Sequence, residues 1–170
     1  MTRIIGTFLY TGYLKPAPGT WGSLAALPFV FVLHVLGTRL HPMGGPVLLA
    51  AAALLAFLAG LWATRRIEAE TGVKDPSEIV IDEVVGMWIA MWPVSFGAAF
   101  AGADILALYP GWIAAFLGFR LFDIWKPGPV GWADRRGDAM GVMLDDVIAG
   151  VFAGIVTVVL AAISHLWLMA

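Results

Sequence analysis

The chain has 170 residues, of which 61% are apolar and only 13% charged, and its mean hydropathy is +0.88. A water-soluble domain is typically about 45–50% apolar and about 25% charged, so this composition predicts a membrane protein. The formal net charge of −2 gives no reason to expect a nucleic-acid partner. Because the sequence contains no cysteine, disulfides, thiolate nucleophiles and zinc–thiolate sites are excluded.

Five segments are long and apolar enough to cross a bilayer, which takes about 20 residues of helix. In chain order they are Trp21–Leu40, Pro46–Ala63, Ile79–Phe100, Ile105–Phe122 and Gly141–Leu168. Pro93 is expected to kink the third segment or to end it early. The sequence therefore predicts an all-α fold, a polytopic membrane bundle of about five helices, organised as a single membrane-embedded domain over residues 1–170.

The positive residues indicate how this bundle is oriented. With the N-terminus in the cytoplasm, nine of the ten Lys and Arg residues fall on the cytoplasmic side and only Arg39 falls outside. Positive residues prefer cytoplasmic loops, so this orientation is favoured. The acids cluster on the same side, all except Asp104, although the rule for positive residues does not require it.

Two pairs of adjacent carboxylates open apolar helices: Asp82 with Glu83, and Asp145 with Asp146. The stretch 75–78, Asp-Pro-Ser-Glu, has the pattern of a helix start. That start would place Asp82 and Glu83 about two turns, or roughly 10 Å, into their helix. Both pairs are therefore expected at a shallow depth in the membrane.

Asp123 ends the fourth segment one turn from Arg120, so these two side chains can share a face. Five carboxylates are then expected to converge near the cytoplasmic interface. They form either internal ion pairs or a site for Mg²⁺ or Mn²⁺, which prefer hard oxygen ligands. The presence of two adjacent acid pairs in two helices favours the site.

Two polar stretches carry basic side chains that are expected near these acids. The loop "DIWKPGPVGWADRRGDAMG" carries Lys126, Arg135 and Arg136, which either bind phosphate or are simply a positive cytoplasmic loop. The stretch "KPAPGTWGS" carries Lys15, and Thr20 is expected to cap the first membrane helix, whose N-terminus attracts anions. From this stretch alone, simple capping is the favoured interpretation. Gly150 and Gly154 are expected to form a helix-packing surface.

Three stretches taken together, "KPAPGTWGS", "KDPSEIVIDEVVGMW" and "FDIWKPGPVGWADRR" with "MGVMLDDVIAG", resemble the phosphatidylglycerophosphatase A family. The resemblance runs from about Tyr13 to Gly154. It implies a small Mg²⁺-dependent enzyme of the bacterial inner membrane. The one-sided charges predict that its active site lies on the cytoplasmic side. Such an enzyme removes the terminal phosphate of the lipid phosphatidylglycerophosphate and yields phosphatidylglycerol.

The resemblance also implies roles for the matching residues. The catalytic acids would be Asp82, Glu83, Asp123, Asp134, Asp145 and Asp146. Of these, the metal ligands would be Asp82, Glu83, Asp145 and Asp146. The substrate phosphate would be bound by Lys15, Thr20, Lys126 and Arg135. Whether Asp123 or Asp134 serves as base, or one aspartate as nucleophile, stays open.

Two other functions fit parts of the pattern. A CDP-alcohol phosphatidyltransferase also uses interfacial aspartates and a divalent metal, but its Asp-Gly-x-x-Ala-Arg string is absent here. A transporter using the acids as a pathway would place polar groups along the bilayer, whereas the second and fifth segments are apolar through their middles. The oligomeric state is not specified by the sequence.

Overall fold

The computed structural model of the chain describes residues 1–169, with side chains for residues 1–167. This part is helical and without strands. Its seven α-helices are α1 Thr2–Gly6, α2 Pro18–Leu40, α3 Gly44–Thr71, α4 Ile81–Ala101, α5 Tyr109–Trp125, α6 Pro129–Asp134 and α7 Ala139–Met169. Two short 3-10 helices, Thr11–Tyr13 and Ile105–Leu108, precede α2 and α5.

Five helical stretches of the described chain are long and apolar enough to span a membrane, which confirms the predicted bundle. They are α2, α3, α4, α7 and the fourth span Ile105–Trp125, which joins a 3-10 helix to α5. Of the two expectations for Pro93, an early helix end is wrong, because α4 continues through it to Ala101. A proline inside a membrane helix is tolerated where neighbouring helices surround it.

The central helix of the bundle is α4, which packs against α2, α3, α5 and α7. Val84, Met87 and Met91 on this helix are fully buried. Its two indole N–H groups find backbone acceptors: Trp88 donates to the Ala26 carbonyl and Trp92 to the Pro46 carbonyl, each at 3.0 Å. These bonds satisfy polar groups that burial would otherwise leave unpaired, and they fix α4 against α2 and α3.

The outer helices expose large apolar side chains, among them Leu54, Leu58, Leu117 and Ile155, each more than half exposed. In water such a surface would be an association site. Around a bundle of spanning helices it is the surface that contacts lipid. The structure is therefore that of a membrane protein.

The two helices that carry the acid pairs, α4 and α7, touch backbone to backbone at Gly86 and Gly150. A Cβ on Gly150 would lie 2.3 Å from the Gly86 carbonyl oxygen, and one on Gly86 would lie 2.6 Å from the Asp146 carbonyl oxygen. The packing role expected for Gly150 is thus confirmed, as small residues allow close helix crossings in membranes. Each glycine follows an acid, Asp82 or Asp146, by four positions, which is about one helical turn.

The start of α4 differs from the sequence prediction. The helix begins at Ile81, so the expected start at residues 75–78 is wrong. Asp75 has a left-handed φ of 48°, which a helix does not accept, and the Val80 N–H donates to the Gly6 carbonyl at 2.9 Å. Tertiary contact with the N-terminal segment holds this stretch out of the helix. Asp82 and Glu83 consequently lie in the first turn of α4.

The expected cap of the first spanning helix is also wrong. α2 begins at Pro18, and Ala17, with a left-handed φ of 61°, is its N-cap residue. Proline suits this first helical position because its missing N–H would be unpaired there anyway. Thr20 therefore lies inside the first turn and makes no capping bond through its side chain.

At the start of α7, Asp138 is the N-cap. Its carboxylate accepts from the Gly141 N–H at 2.8 Å, and its carbonyl accepts from the Val142 N–H at 3.1 Å. A side-chain oxygen in this position satisfies one of the free amides of the first turn. Asp145 and Asp146 follow about two turns into the helix.

Candidate active site

A polar cavity of about 260 Å³ lies at the end of the bundle where α4 and α7 begin and α5 ends. Carboxylates from all three of these spanning helices line it. Its lining consists of Asp75, Ser77, Ile79, Asp82, Glu83, Asp123, Lys126, Val142, Asp145 and Asp146. The convergence of five acids that the sequence predicts is confirmed by this geometry, although the chemical role of each acid stays a prediction.

Three of these acids can share one cation. Asp82, Glu83 and Asp146 each offer a carboxylate oxygen, and the three oxygens lie within 4.8 Å of one another. One Glu83 oxygen, Oε2, and one Asp146 oxygen, Oδ1, are buried without a hydrogen-bond partner among the described residues. Burying carboxylate oxygens without a partner is costly. A set of hard oxygen donors with unpaired buried atoms fits Mg²⁺ or Mn²⁺.

Asp145 is held differently from its neighbour. Its Oδ2 accepts from the Lys126 ammonium at 3.0 Å, and its Oδ1 accepts from the Asp146 N–H at 3.0 Å. Asp145 lies outside the group of three that can share one ion. It lines the same cavity, and its expected role as a metal ligand stays a prediction.

Lys126 brings a positive charge to the cavity. It is the C-cap of α5 in a left-handed conformation, with φ of 50°, and its ammonium contacts both Asp134 and Asp145. Non-glycine residues adopt this conformation rarely, and such positions concentrate at functional sites. Burial lowers the pKa of Lys126. The hydrogen bonds and negative charges of Asp134 and Asp145 together raise it by more than burial lowers it, so the pKa lies above its usual range. The ammonium therefore stays charged at neutral pH.

Comparison with known proteins agrees with this geometry. The family model described as phosphatidylglycerophosphatase A matches residues 4–161. The chain belongs to this family. Its members are phosphatases by name, and the chain is an enzyme of that class. No solved structure matches the chain significantly.

Three curated relatives cover most of this family member. Phosphatidylglycerophosphatase A of Escherichia coli is 35% identical over 163 residues, which is 92% of this chain and 80% of that protein. Phosphatidylglycerophosphatase A of Haemophilus influenzae is 38% identical over 148 residues, 86% of this chain and 80% of that protein. A Bacteroides thetaiotaomicron protein provisionally named a phosphatidylinositol-3-phosphatase is 38% identical over 157 residues, 92% of this chain and 91% of that protein.

Four residues that the resemblance to phosphatidylglycerophosphatase A singled out do not line the cavity. Asp134 reaches it only through its ion pair with Lys126. Lys15 and Arg135 are exposed, and Thr20 is partly buried in the first turn of α2. Their predicted roles in catalysis or phosphate binding stay predictions.

Sequence reasoning missed residues that line the cavity or support it. Arg120 forms an ion pair with Asp123 and has a buried Nε without a partner among the described residues. The sequence spacing indicated that pair but not its place in the site. Asp75 and Ser77 line the cavity because residues 72–80 do not continue α4. The pKa of the Asp75 carboxyl lies above its ordinary value, chiefly because of burial. The Lys126 charge lowers it and the Asp134 charge raises it, both by less than burial does.

Proposed function

We propose that this chain is a Mg²⁺-dependent lipid phosphatase that hydrolyses the terminal phosphate monoester of phosphatidylglycerophosphate to phosphatidylglycerol and inorganic phosphate. The observation that carries the proposal is the cavity itself, in which acids from three spanning helices face Lys126. The names of the Escherichia coli and Haemophilus influenzae relatives supply the substrate.

The proposed cation ligands are Asp82, Glu83 and Asp146, with Asp145 beside them. A bound Mg²⁺ supplies a Lewis acid that neutralises charge on phosphoryl oxygens. Without an ion, these acids repel one another in one small space. The unpaired oxygens of Glu83 and Asp146 give the clearest reason to propose a ligand there.

In the hydrolysis, a water oxygen forms a bond to phosphorus while the ester P–O bond breaks. One proton leaves the attacking water, and one proton reaches the departing glycerol oxygen. Lys126, charged and facing the cavity, is suited to stabilise the negative charge that gathers on the phosphoryl group. Of the two candidate bases, Asp123 lines the cavity whereas Asp134 does not, so Asp123 is the better placed acceptor for the water proton.

The proposed location is the bacterial inner membrane, with the cavity facing the cytoplasm. The positive residues flank the end of the bundle that holds the cavity, and only Arg39, in the last turn of α2, lies at the other end. Positive residues prefer cytoplasmic loops. A lipid phosphate in the inner leaflet would then lie at the depth of the acids.

Phosphate release from purified protein in defined lipid vesicles tests the proposal. Phosphatidylglycerophosphate should release phosphate in Mg²⁺ and not in excess chelator. Omitting any CDP-lipid separates a hydrolase from a phosphatidyltransferase. A parallel assay with phosphatidylinositol 3-phosphate tests the alternative substrate that the name of the Bacteroides relative indicates. Faster release from that lipid, or full release in chelator, would contradict the proposed substrate or the proposed cation.

A further inference from the structure

Gly19 lies in the first turn of α2, against the end of the Glu83 side chain. An ideal Cβ built on Gly19 would lie 2.1 Å from the Glu83 Oε1 and 3.2 Å from the Arg120 Nη1. The backbone there is helical, so no special conformation requires glycine. What a side chain at this position would meet is the charged end of two residues of the candidate site.

Other glycines of the same region meet different atoms. A Cβ on Gly12 would lie 1.9 Å from the Glu78 carbonyl oxygen, and one on Gly22 would lie 2.8 Å from the Val80 Cβ. The N-terminal segment thus packs closely on the stretch that leads into α4. Gly12 and Gly22 meet backbone and core atoms, whereas Gly19 meets a carboxylate.

We infer that Gly19 is a positioning residue, whose missing side chain leaves the space that the end of the Glu83 side chain occupies. Glu83 shares the group of three carboxylates with Asp82 and Asp146, so its place decides whether the three oxygens converge. The inference rests on the proposed function of this site. It assigns the Pro-Gly-Thr stretch to shaping the cation site, a role distinct from the phosphate binding expected of Lys15 and Thr20.

A methyl group at Gly19 displaces a flexible side-chain end and not the backbone. Gly19→Ala should therefore fold normally while its Glu83 carboxylate moves. Groups that orient metal ligands typically contribute about 10–100-fold to metal affinity or activity. The half-saturating Mg²⁺ concentration for phosphate release should accordingly rise by on the order of 10-fold or more in this variant.

The matched control is Gly97→Ala, since Gly97 also lies within a spanning helix and a Cβ there has no neighbour within 4 Å. A readout independent of turnover is the rise in melting temperature that saturating Mg²⁺ produces, because a ligand stabilises the state that binds it. Gly19→Ala should lose most of this rise and Gly97→Ala should keep it. Equal Mg²⁺ requirements and equal rises in the two variants would overturn the role of Gly19.

A double variant tests the contact directly. Glu83→Asp shortens the side chain and withdraws its carboxylate from Gly19. Adding Gly19→Ala in that background should change the Mg²⁺-induced rise in melting temperature less than it does in the wild type, because contacting residues are non-additive. An equal change in both backgrounds would overturn the inference.

Two further outcomes would also bear on the role of Gly19 or on the proposed function. If Gly19→Ala does not fold, Glu83→Asp should restore folding by removing the clash, and continued failure overturns the inference. Absence of phosphate release from the wild type would contradict the proposed function itself. Release from the wild type with an unchanged Mg²⁺ requirement in Gly19→Ala contradicts only the positioning role.

Discussion

The Lys126 ammonium donates a 3.0 Å hydrogen bond to the Asp145 carboxylate and so joins the end of α5 to the second turn of α7. The Asp145 side chain is 8% exposed and that of Lys126 is 34% exposed. Asp145 is thus the more deeply buried partner. Removing the lysine leaves a largely buried carboxylate without its cation.

Lys126→Met keeps the bulk of the side chain and removes the charge. We expect turnover to fall by about 10²-fold, the scale for losing one preorganised electrostatic group. We also expect the free energy of unfolding to fall by on the order of 1–3 kcal/mol, because an acceptor is left buried and unpaired. Adding Asp145→Asn should recover part of the stability but not the turnover. Lys74→Met, at an exposed lysine outside the cavity lining, is the control and should change neither quantity.

Asp82→Asn and Asp146→Asn test the shared cation. Each should lower turnover by well over ~10²-fold and abolish most of the Mg²⁺-induced rise in melting temperature. Without Mg²⁺ each variant should melt no lower than the wild type, because removing one of several like charges relieves repulsion. The double variant should be little worse than either single one, since residues that act as a unit are non-additive.

Asp104→Asn is the matched control for these variants. Asp104 caps the 3-10 helix Ile105–Leu108 through a 2.9 Å bond from the Leu106 N–H, far along the chain from the acid pairs. Asparagine keeps that acceptor, so turnover and Mg²⁺ response should stay as in the wild type. Normal turnover in Asp82→Asn would show that this carboxylate is not needed for the reaction.

Asp138 should make the stability of the protein depend on pH. Hydrogen bonds from Arg136, and then from the Gly141 N–H, hold the pKa of Asp138 below its usual range. A lowered folded pKa contributes stability above the unfolded pKa of about 3.9, and this contribution is lost as pH falls through the folded value. Asp138→Ala should therefore melt below the wild type at neutral pH, with the difference shrinking below about pH 4.

Asp138→Asn separates the two contacts of this residue. It keeps an oxygen for the Gly141 N–H and loses the ion pair with Arg136. The asparagine variant should therefore melt above Asp138→Ala but slightly below the wild type at neutral pH, because it keeps the cap and loses an exposed ion pair that contributes little. A pH-independent difference between Asp138→Ala and the wild type would show that ionisation of the carboxyl is irrelevant to the cap.

Single cysteines test the proposed orientation, and the natural sequence already lacks cysteine. Cysteines at Lys74 and Arg136 should resist a membrane-impermeant maleimide in intact cells, whereas one at His41 should react. All three positions are exposed. Gly44, at the nearby start of α3, is unsuitable for a cysteine, because a Cβ there would lie 2.0 Å from the Gly37 carbonyl oxygen. External labelling at Arg136 would reverse the orientation and place the cavity outside.

The spans were predictable because hydropathy and helix length depend on local sequence. The convergence of acids was predictable because the acids lie at the ends of spans that meet the same face of the membrane. The start of α4 was not, since a helical pattern at residues 75–78 is overridden by the Val80 hydrogen bond to Gly6, 74 positions away. The contact between Gly19 and Glu83 likewise depends on how α2 packs on α4. Nothing in the sequence predicted the left-handed backbone conformation of Lys126. In that conformation its ammonium reaches Asp145 on α7.

The backbone contact between Gly86 and Gly150 lies about one turn from Asp82 and Asp146, so a change in the tilt of α4 against α7 about this contact would shift these two carboxylates relative to each other. Membrane helices adjust their tilt to the thickness of the surrounding bilayer. The rate of hydrolysis should therefore vary with the acyl length of the host lipid even when the chains of the substrate are kept constant. In this enzyme the thickness of the host membrane would act on catalysis in the manner of an effector.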